Sequence, residues 1–352
     1  MNCLVLTPHR LGIKAVAERV GEQWDAMGHD VDYRLPDGAA ARVGGVTVGV
    51  PGIARWWQKQ FRDLSGSGAY DLIWMHQPLS PTVPDADFWD RTLVTFHTTE
   101  MAEYCLARDG VYPRRRLPYL WATSRLERWF YGRLRATVPE GPTYTVVSPQ
   151  LRSEVSTFGV EDAAYVPNGL STPAGESVGP IRERFDIPDH ATLLVSLGSH
   201  TYQKRPALCA RCLDAVCAAD PSIHAVIAGD GPLHDDVVSA VSSDRVHVRG
   251  YVDDDEKWRW LATADAFVSL SAYEGMPVAS LEALSFGVPV VLSDVPAHRS
   301  LVERHACGAL IEPTPDALGT AVDRVAGVDV SASLPSWESV ASTYLAVADS
   351  ED

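Results

Sequence analysis

Ala266-Phe267-Val268-Ser269-Leu270-Ser271-Ala272-Tyr273-Glu274-Gly275-Met276-Pro277-Val278-Ala279-Ser280-Leu281-Glu282-Ala283-Leu284-Ser285-Phe286-Gly287-Val288-Pro289-Val290-Val291-Leu292 is the stretch on which the reading of this chain turns. A short apolar run at 266–270 has strand composition. A turn follows, then apolar residues at helical spacing, then a second apolar run at 288–292. Strand, tight turn, helix and strand make the repeating unit of a parallel sheet.

The turn itself carries chemistry. Gly275 allows close backbone approach, and Pro277 suits a first helical turn. With a helix starting there, the amides of Gly275, Met276, Val278 and Ala279 would point outward at the positive end of the helix dipole, a site for an anion such as a diphosphate. Glu274 would stand in the turn and Glu282 two turns inside the helix, about 12 Å apart along the axis. That is the scale of a sugar–diphosphate–ribose ligand, whose hydroxyls carboxylates bind well. A capped surface helix bearing two solvated glutamates is the plainer alternative.

The alternation extends through the chain. Strands are expected at 3–6, 31–33, 72–75, 93–96 and 144–147, and again at 193–197, 225–228, 246–248, 266–270, 288–292 and 309–311. A helix over 13–27 is closed by Gly28. One set of strands precedes residue 170 and the other follows it, with a Pro-, Gly- and Ser-rich linker at 171–180. The expected fold class is α/β: two doubly wound, Rossmann-like parallel-sheet domains, 1–170 and 171–335, facing a central cleft. Ligands of such sheets sit beyond the carboxyl ends of strands.

The 352 residues suit two domains, and no apolar run of about 18 residues would cross a membrane. The N-terminus reads as a first strand rather than an export signal, so a cytoplasmic protein is expected. The net charge is −16, and only Lys14, Lys59, Lys204 and Lys257 are lysines. Such an acidic, Lys-poor composition suits concentrated salt and points to a halophile's cytosol. Residues 1–170 hold 18 cations against 19 anions, and the remainder 12 against 27. The first half is therefore the one suited to face something anionic. Cys209, Cys212 and Cys217 fall on one face of a helix expected over 206–219. Without a second ligand pair they read as small core residues rather than a metal site.

The segment Tyr273-Glu274-Gly275-Met276-Pro277, with Glu282-Ala283 and Gly287-Val288-Pro289-Val290, resembles the signature of the retaining glycosyltransferases of family 4, a group 1 family with the GT-B fold. Val166-Pro167-Asn168-Gly169-Leu170, Ala228-Gly229-Asp230-Gly231-Pro232 and Gly250-Tyr251-Val252 resemble further family segments in order and spacing, and 337–345 resembles its C-terminal helix. The resemblance implies that a C-terminal helix over 336–348 returns to the first domain, that Glu274 contacts the transferred sugar and that Glu282 contacts the ribose. It also implies a nucleoside diphosphate sugar as co-substrate, retention of configuration, and no metal or other cofactor. In the family an Arg after a glycine and a Lys five residues on clamp the diphosphate. Here Lys204 matches and Ser199 replaces the Arg, with either His200 or Arg205 as the candidate to compensate, the alternative being a weaker grip on the donor. In the first domain His97, after a strand, corresponds to a His near sugar and acceptor. Gly12 retains one of two glycines of the first turn, where Arg10 could help with phosphate. Catalytic residues are thus expected at His97, Lys204 and Glu274, and donor contacts at Gly12, Ser199, Arg205, Gly275, Met276, Val278 and Glu282. The D-x-D matches Asp30/Asp32 and Asp85/Asp87 read as chance in so acidic a chain, since hard cations need more ligands.

Residues 112–135 hold seven arginines against one acid, Glu127, interleaved with Trp121, Trp129, Phe130 and Tyr131. The stretch 53–62, with Trp56, Trp57 and Phe61, repeats the pattern in miniature. A basic aromatic helix reads as a membrane-surface element, suited to a lipid-linked acceptor and a peripheral location on the cytoplasmic face. The alternative is a packing helix whose Arg stems cover apolar surface. No nucleic-acid motif is present. Besides transfer to a glycan or lipid-linked acceptor, an epimerase of the same fold and a non-catalytic donor-binding relative remain open. A phosphorylase would need a lysine in a cofactor-binding context, which none of the four has.

Overall fold

The computed structural model describes residues 1–8, 12–36, 42–43, 46–47, 50–139, 141–170, 181–328, 330 and 335–349. The expected linker at 171–180 and the turn residues His9, Arg10 and Leu11 lie outside them. Contacts divide the chain into two units, Met1–Gly169 with Pro335–Asp352, and Leu170–Leu334.

The first unit is built on six parallel strands: β1 (Asn2–Leu6), β2 (Asp30–Arg34), β3 (Leu72–His76), β4 (Thr92–Phe96), β5 (Thr143–Val146) and β6 (Ala164–Tyr165). Their spatial order is β2-β1-β3-β4-β5-β6. β3 and β4 are buried along their whole length, which is why their sequences are mainly apolar and show no regular apolar–polar alternation. Helix α1 (Gly12–Ala26) buries Val16, Ala17, Val20 and Trp24, and Gly28 ends it in the left-handed region at φ 88°. Helix α12 (Trp337–Asp349) packs on α1, where the Trp24 indole N–H donates to the Ala341 carbonyl at 3.0 Å. Helices α2 (Val50–Leu64) and α4 (Leu117–Thr137) share an aromatic layer: the Phe61 and Phe130 rings stack 6.2 Å apart. Helices α3 (Glu100–Arg108) and α5 (Pro149–Ser156) complete the unit.

The second unit repeats the plan with β7 (Thr192–Leu197), β8 (Ile223–Ala228), β9 (Val246–Arg249), β10 (Ala266–Ser269), β11 (Val290–Ser293) and β12 (Gly308–Ile311). All are parallel, in the order β9-β8-β7-β10-β11-β12. Around them lie α6 (Pro206–Ala219), α7 (His234–Ser239), α8 (Asp254–Thr263), α9 (Val278–Ser285), α10 (Pro296–His305) and α11 (Pro315–Val325). Apolar clusters cover both faces of the sheet. Each fully buried Leu, Val or Phe in them contributes about 1.5–3 kcal/mol. Cys209, Cys212 and Cys217 sit inside one cluster, and burial pushes the Cys209 and Cys217 thiols up to about 12, so they are inert packing groups. β11 begins at Val290, two residues later than the apolar run suggested. The Val288 amide still closes α9 by donating to Ala283, and Gly287 turns at φ 74°.

In this order β7 and β10 are hydrogen-bonded neighbours, although their chains continue to opposite sides of the sheet. A crevice opens at the carboxyl ends of such a strand pair.

Candidate active site

Two loops meet there. One leaves β7 as Gly198-Ser199-His200-Thr201 and runs through a short 3-10 turn, Tyr202–Lys204, into α6. The other leaves β10 as Leu270-Ser271-Ala272-Tyr273-Glu274 and reaches α9. Both are packed closely. Gly231, at φ 152°, has its Cα against the His200 backbone, where an added Cβ would come within 2.7 Å of the carbonyl oxygen. The Ala272 amide donates to the Gln203 carbonyl at 2.7 Å, joining the loops through their backbones.

Glu274 is 5% exposed, yet both its carboxylate oxygens are engaged. Lys204 Nζ donates to Oε2 at 2.5 Å and Ser271 Oγ donates to Oε1 at 2.6 Å. A carboxylate this far from water is tolerable only when paired and hydrogen-bonded. Behind it, Ser293 Oγ donates to the Ser271 carbonyl at 2.6 Å, and His298 Nδ1 lies 2.9 Å from the Ser293 carbonyl. Burial holds the His298 ring below the usual imidazole range, so it is neutral and donates from Nδ1. Ser199, His200, Lys204, Ser271, Glu274 and Ala279 line one pocket.

Several expectations are corrected here. Helix α9 starts at Val278, with Pro277 as the residue before it (φ −81°, ψ 71°). Glu274 therefore lies outside the helix and Glu282 about one turn in, so the 12 Å axial estimate does not apply. The Val278 amide is not available to an anion, because it donates to the Met276 carbonyl at 2.9 Å. Glu282 does not line the pocket around Glu274. Its carboxylate accepts from Lys257 of α8 at 2.9 Å, and Lys257 also reaches Asp254 and lies 3.9 Å from the centroid of the Trp258 ring. Arg205 does not take the place of the missing arginine: its Nε donates to the Leu270 carbonyl at 2.9 Å and its Nη2 to the Ser271 carbonyl at 2.7 Å. Ser199 lies 3.4 Å from the Thr201 hydroxyl. His200 is buried against His234, with Nδ1 atoms 3.1 Å apart, and burial holds it below the usual imidazole range.

The first unit holds the remaining expected residues. Gly12 is the exposed first residue of α1. His97 follows β4 and is 8% exposed, with its Nε2 at 2.9 Å from Nδ1 of His76, the last residue of β3. One ring must donate and the other accept. The loop bearing His97 is held from several sides. Gln77 Nε2 donates to the Thr98 carbonyl at 2.6 Å, and Thr99 caps α3 while donating to Glu154 at 2.8 Å. Glu127 accepts the Glu100 and Met101 amides at 3.0 and 3.1 Å, and its burial raises its carboxyl well above the usual range.

The basic aromatic stretch divides by face. Phe130 and Tyr131 are buried, whereas Trp121 and Trp129 are 50% and 47% exposed. Arg114, Arg115, Arg116, Arg125, Arg128 and Arg133 are exposed with them. Arg135 is different, pairing with Asp162 at 3.0 Å. The similar stretch in α2 is core: Trp56, Trp57 and Phe61 are all buried. Among the described residues no helix is long and apolar enough to cross a membrane, and no three His, Cys, Asp or Glu side chains gather as metal ligands.

Residues 191–327 match the family model described as glycosyl transferases group 1. They form a group 1 glycosyltransferase domain. A Bacillus subtilis protein named as a teichuronic acid biosynthesis glycosyltransferase is 32% identical over 183 residues, covering 51% of this chain and 45% of its own. An Escherichia coli O-antigen biosynthesis glycosyltransferase is 24% identical, covering 53% of this chain and 50% of its own. The chain thus spans about half the length of these curated relatives. A Mycobacterium tuberculosis GDP-mannose-dependent phosphatidylinositol dimannoside mannosyltransferase is 24% identical across 90% of this chain and 84% of its own. Among solved structures, a sucrose-phosphate synthase from Thermosynechococcus elongatus superposes at a TM-score of 0.66 with 16% identity, covering 99% of this chain and 94% of its own. A glycosyltransferase involved in lipopolysaccharide biosynthesis superposes at 0.64 with 16% identity, covering 100% and 96%. The fold is GT-B, with two Rossmann-like six-stranded sheets.

Within the glycosyltransferase domain, the sequence reading missed Ser271, Ser293 and His298 behind Glu274, and Lys257 against Glu282. In the first unit it missed His76, Gln77 and Glu154. Only His76 carried a usable signal, as the last residue of an apolar run beside another His-terminated run.

Proposed function

We propose that this chain is a glycosyltransferase moving a hexose-type sugar from a UDP- or GDP-sugar to a glycan or lipid-linked acceptor, with retention and without a resident metal. The observation that carries the reading is the Lys204–Glu274 pair at the carboxyl ends of β7 and β10, beside the start of α9. With donor bound, Lys204 transfers its hydrogen bonds from Glu274 to the diphosphate, and Glu274 accepts from the sugar hydroxyls. Charge on the leaving diphosphate is stabilised by Lys204 and the α9 terminus. The bond from the anomeric carbon to phosphate oxygen breaks, the acceptor oxygen bonds that carbon on the same face, and the acceptor proton passes to the departing phosphate. Glu282, released from Lys257, takes the ribose hydroxyls. His97, oriented by His76, is assigned to the sugar and acceptor.

The group 1 match over 191–327 supports this reading, as do the names of relatives that use GDP-mannose or UDP-galactose. The exposed Arg and Trp face of α4 supports an anionic membrane surface as partner, with the protein peripheral on its cytoplasmic side. The charge of −16 suits work in concentrated salt. A thermal-shift panel of UDP- and GDP-sugars in molar KCl tests the central reading: one donor stabilises the protein, and a panel without any stabilising donor rejects it.

A further inference from the structure

Arg205 meets two conflicting demands. Its backbone sits at φ 47°, ψ 46°, a left-handed conformation that costs a side-chain-bearing residue and suits glycine. Its guanidinium forks onto two successive carbonyls, Leu270 at 2.9 Å and Ser271 at 2.7 Å, the residues that lead into the Glu274 turn. Arg205 is also the single joint between the 3-10 turn ending at Lys204 and α6 beginning at Pro206. Beside the fork, the Gln203–Ala272 backbone bond and the Lys204–Glu274 pair span the same two loops.

We infer that Arg205 is a positioning residue that clamps the β10 loop against the β7 loop and so sets the separation of Lys204 from Glu274. A planar fork can hold two carbonyls at once; an ammonium can satisfy one and leave the other. The backbone bend and the fork act together. The bend turns the chain into α6 directly after Lys204, and the fork fixes the opposite loop at that bend. The consequence for catalysis rests on the donor-site reading above, because the two groups so spaced are those assigned to the diphosphate and the sugar. The clamp itself does not depend on that reading.

The test uses Arg205→Gly, which fits the left-handed backbone but removes the fork, and Arg205→Lys, which keeps the charge. Each is treated with limiting acetic anhydride in molar KCl, and acetylation is quantified by mass spectrometry at Lys204, with Lys14 and Lys257 as internal references. Lys204 is expected to react about five times faster in Arg205→Gly than in wild type and at an intermediate rate in Arg205→Lys, with both references unchanged. Hydrolysis of whichever of UDP-glucose or GDP-mannose wild type turns over should fall about tenfold in kcat, with KM changing less than about threefold. Unchanged Lys204 reactivity in Arg205→Gly overturns the clamp, and altered reactivity with unchanged kcat overturns the positioning role. If the glycine variant does not fold, Arg205→Lys decides by the same readouts. If reactivity changes as expected while wild type turns over no nucleotide sugar, the clamp stands and the proposed function falls.

Discussion

Lys204 and Glu274, seventy positions apart in the chain, form an ion pair at 2.5 Å in which the carboxylate is nearly sealed from solvent. Lys257 and Glu282 form a second such pair at 2.9 Å. Two of the four lysines in this chain thus neutralise the two glutamates of the glycosyltransferase signature. Each cation holds its carboxylate in a fixed orientation until hydroxyls or phosphate oxygens replace it.

Removing one partner leaves the other uncompensated. Lys204→Ala should destabilise the protein by roughly 2 kcal/mol, less than a fully buried pair would lose because the lysine retains some solvent. The double variant Lys204→Ala/Glu274→Ala should be more stable than Lys204→Ala alone. Chemical denaturation of the four-member cycle measures this coupling. Simple additivity would mean that the pair contributes nothing.

Glu282 sits apart from the pocket around Glu274, so the two glutamates should separate kinetically. Glu282→Ala is expected to raise donor KM about tenfold with kcat nearly kept, because a ribose contact is the same in ground and transition states. Steady-state kinetics over a donor titration check this. A loss confined to kcat would assign Glu282 to the reacting sugar instead.

The fold was legible because strands buried on both faces are mainly apolar, and the centres of β3, β4, β7 and β10 (72–75, 93–94, 193–195 and 266–268) read that way. Lys204 was legible through the family resemblance, as the lysine of the expected diphosphate clamp. The pairs that organise the site were not, since nothing local links 204 to 274 or 257 to 282. Pro277 suits both the first helical position and the one before it, so the start of α9 was misplaced. Composition alone likened α2 to α4. Spacing separates them: Trp57, Phe61 and Leu64 share one inward face of α2, whereas Trp121, Arg125, Arg128 and Trp129 share the outward face of α4.

That outward face yields a binding prediction. Wild type should co-sediment with phosphatidylglycerol vesicles at low salt and not with phosphatidylcholine vesicles. Trp121→Ala/Trp129→Ala should weaken binding about tenfold or more, and raising KCl should weaken it in both proteins through screening. Equal binding to both vesicle types would assign the face to another partner.

Glu103 supplies a pH prediction. Burial, followed by the nearby Glu100 carboxylate, raises its carboxyl from 4.5 to about 7. The folded state favours the protonated form, so this contribution is fully present below pH 4.5 and is lost as pH rises towards 7. Its span is about 3 kcal/mol at 1.36 kcal/mol per pH unit. Wild type should therefore melt higher at pH 5.5 than at pH 8, and Glu103→Gln should flatten that slope by gaining stability at pH 8. An unchanged slope in the variant would place Glu103 in a solvated, ordinary environment.

The most direct measurement of the central claim is hydrolysis, in molar KCl, of the nucleotide sugar that stabilises the protein, comparing wild type with Glu274→Ala. Slow hydrolysis by wild type and a loss of about a hundredfold or more in the folded variant is the predicted result. Equal hydrolysis by both proteins would contradict the assignment of Glu274, and no hydrolysis by wild type would contradict the transferase itself.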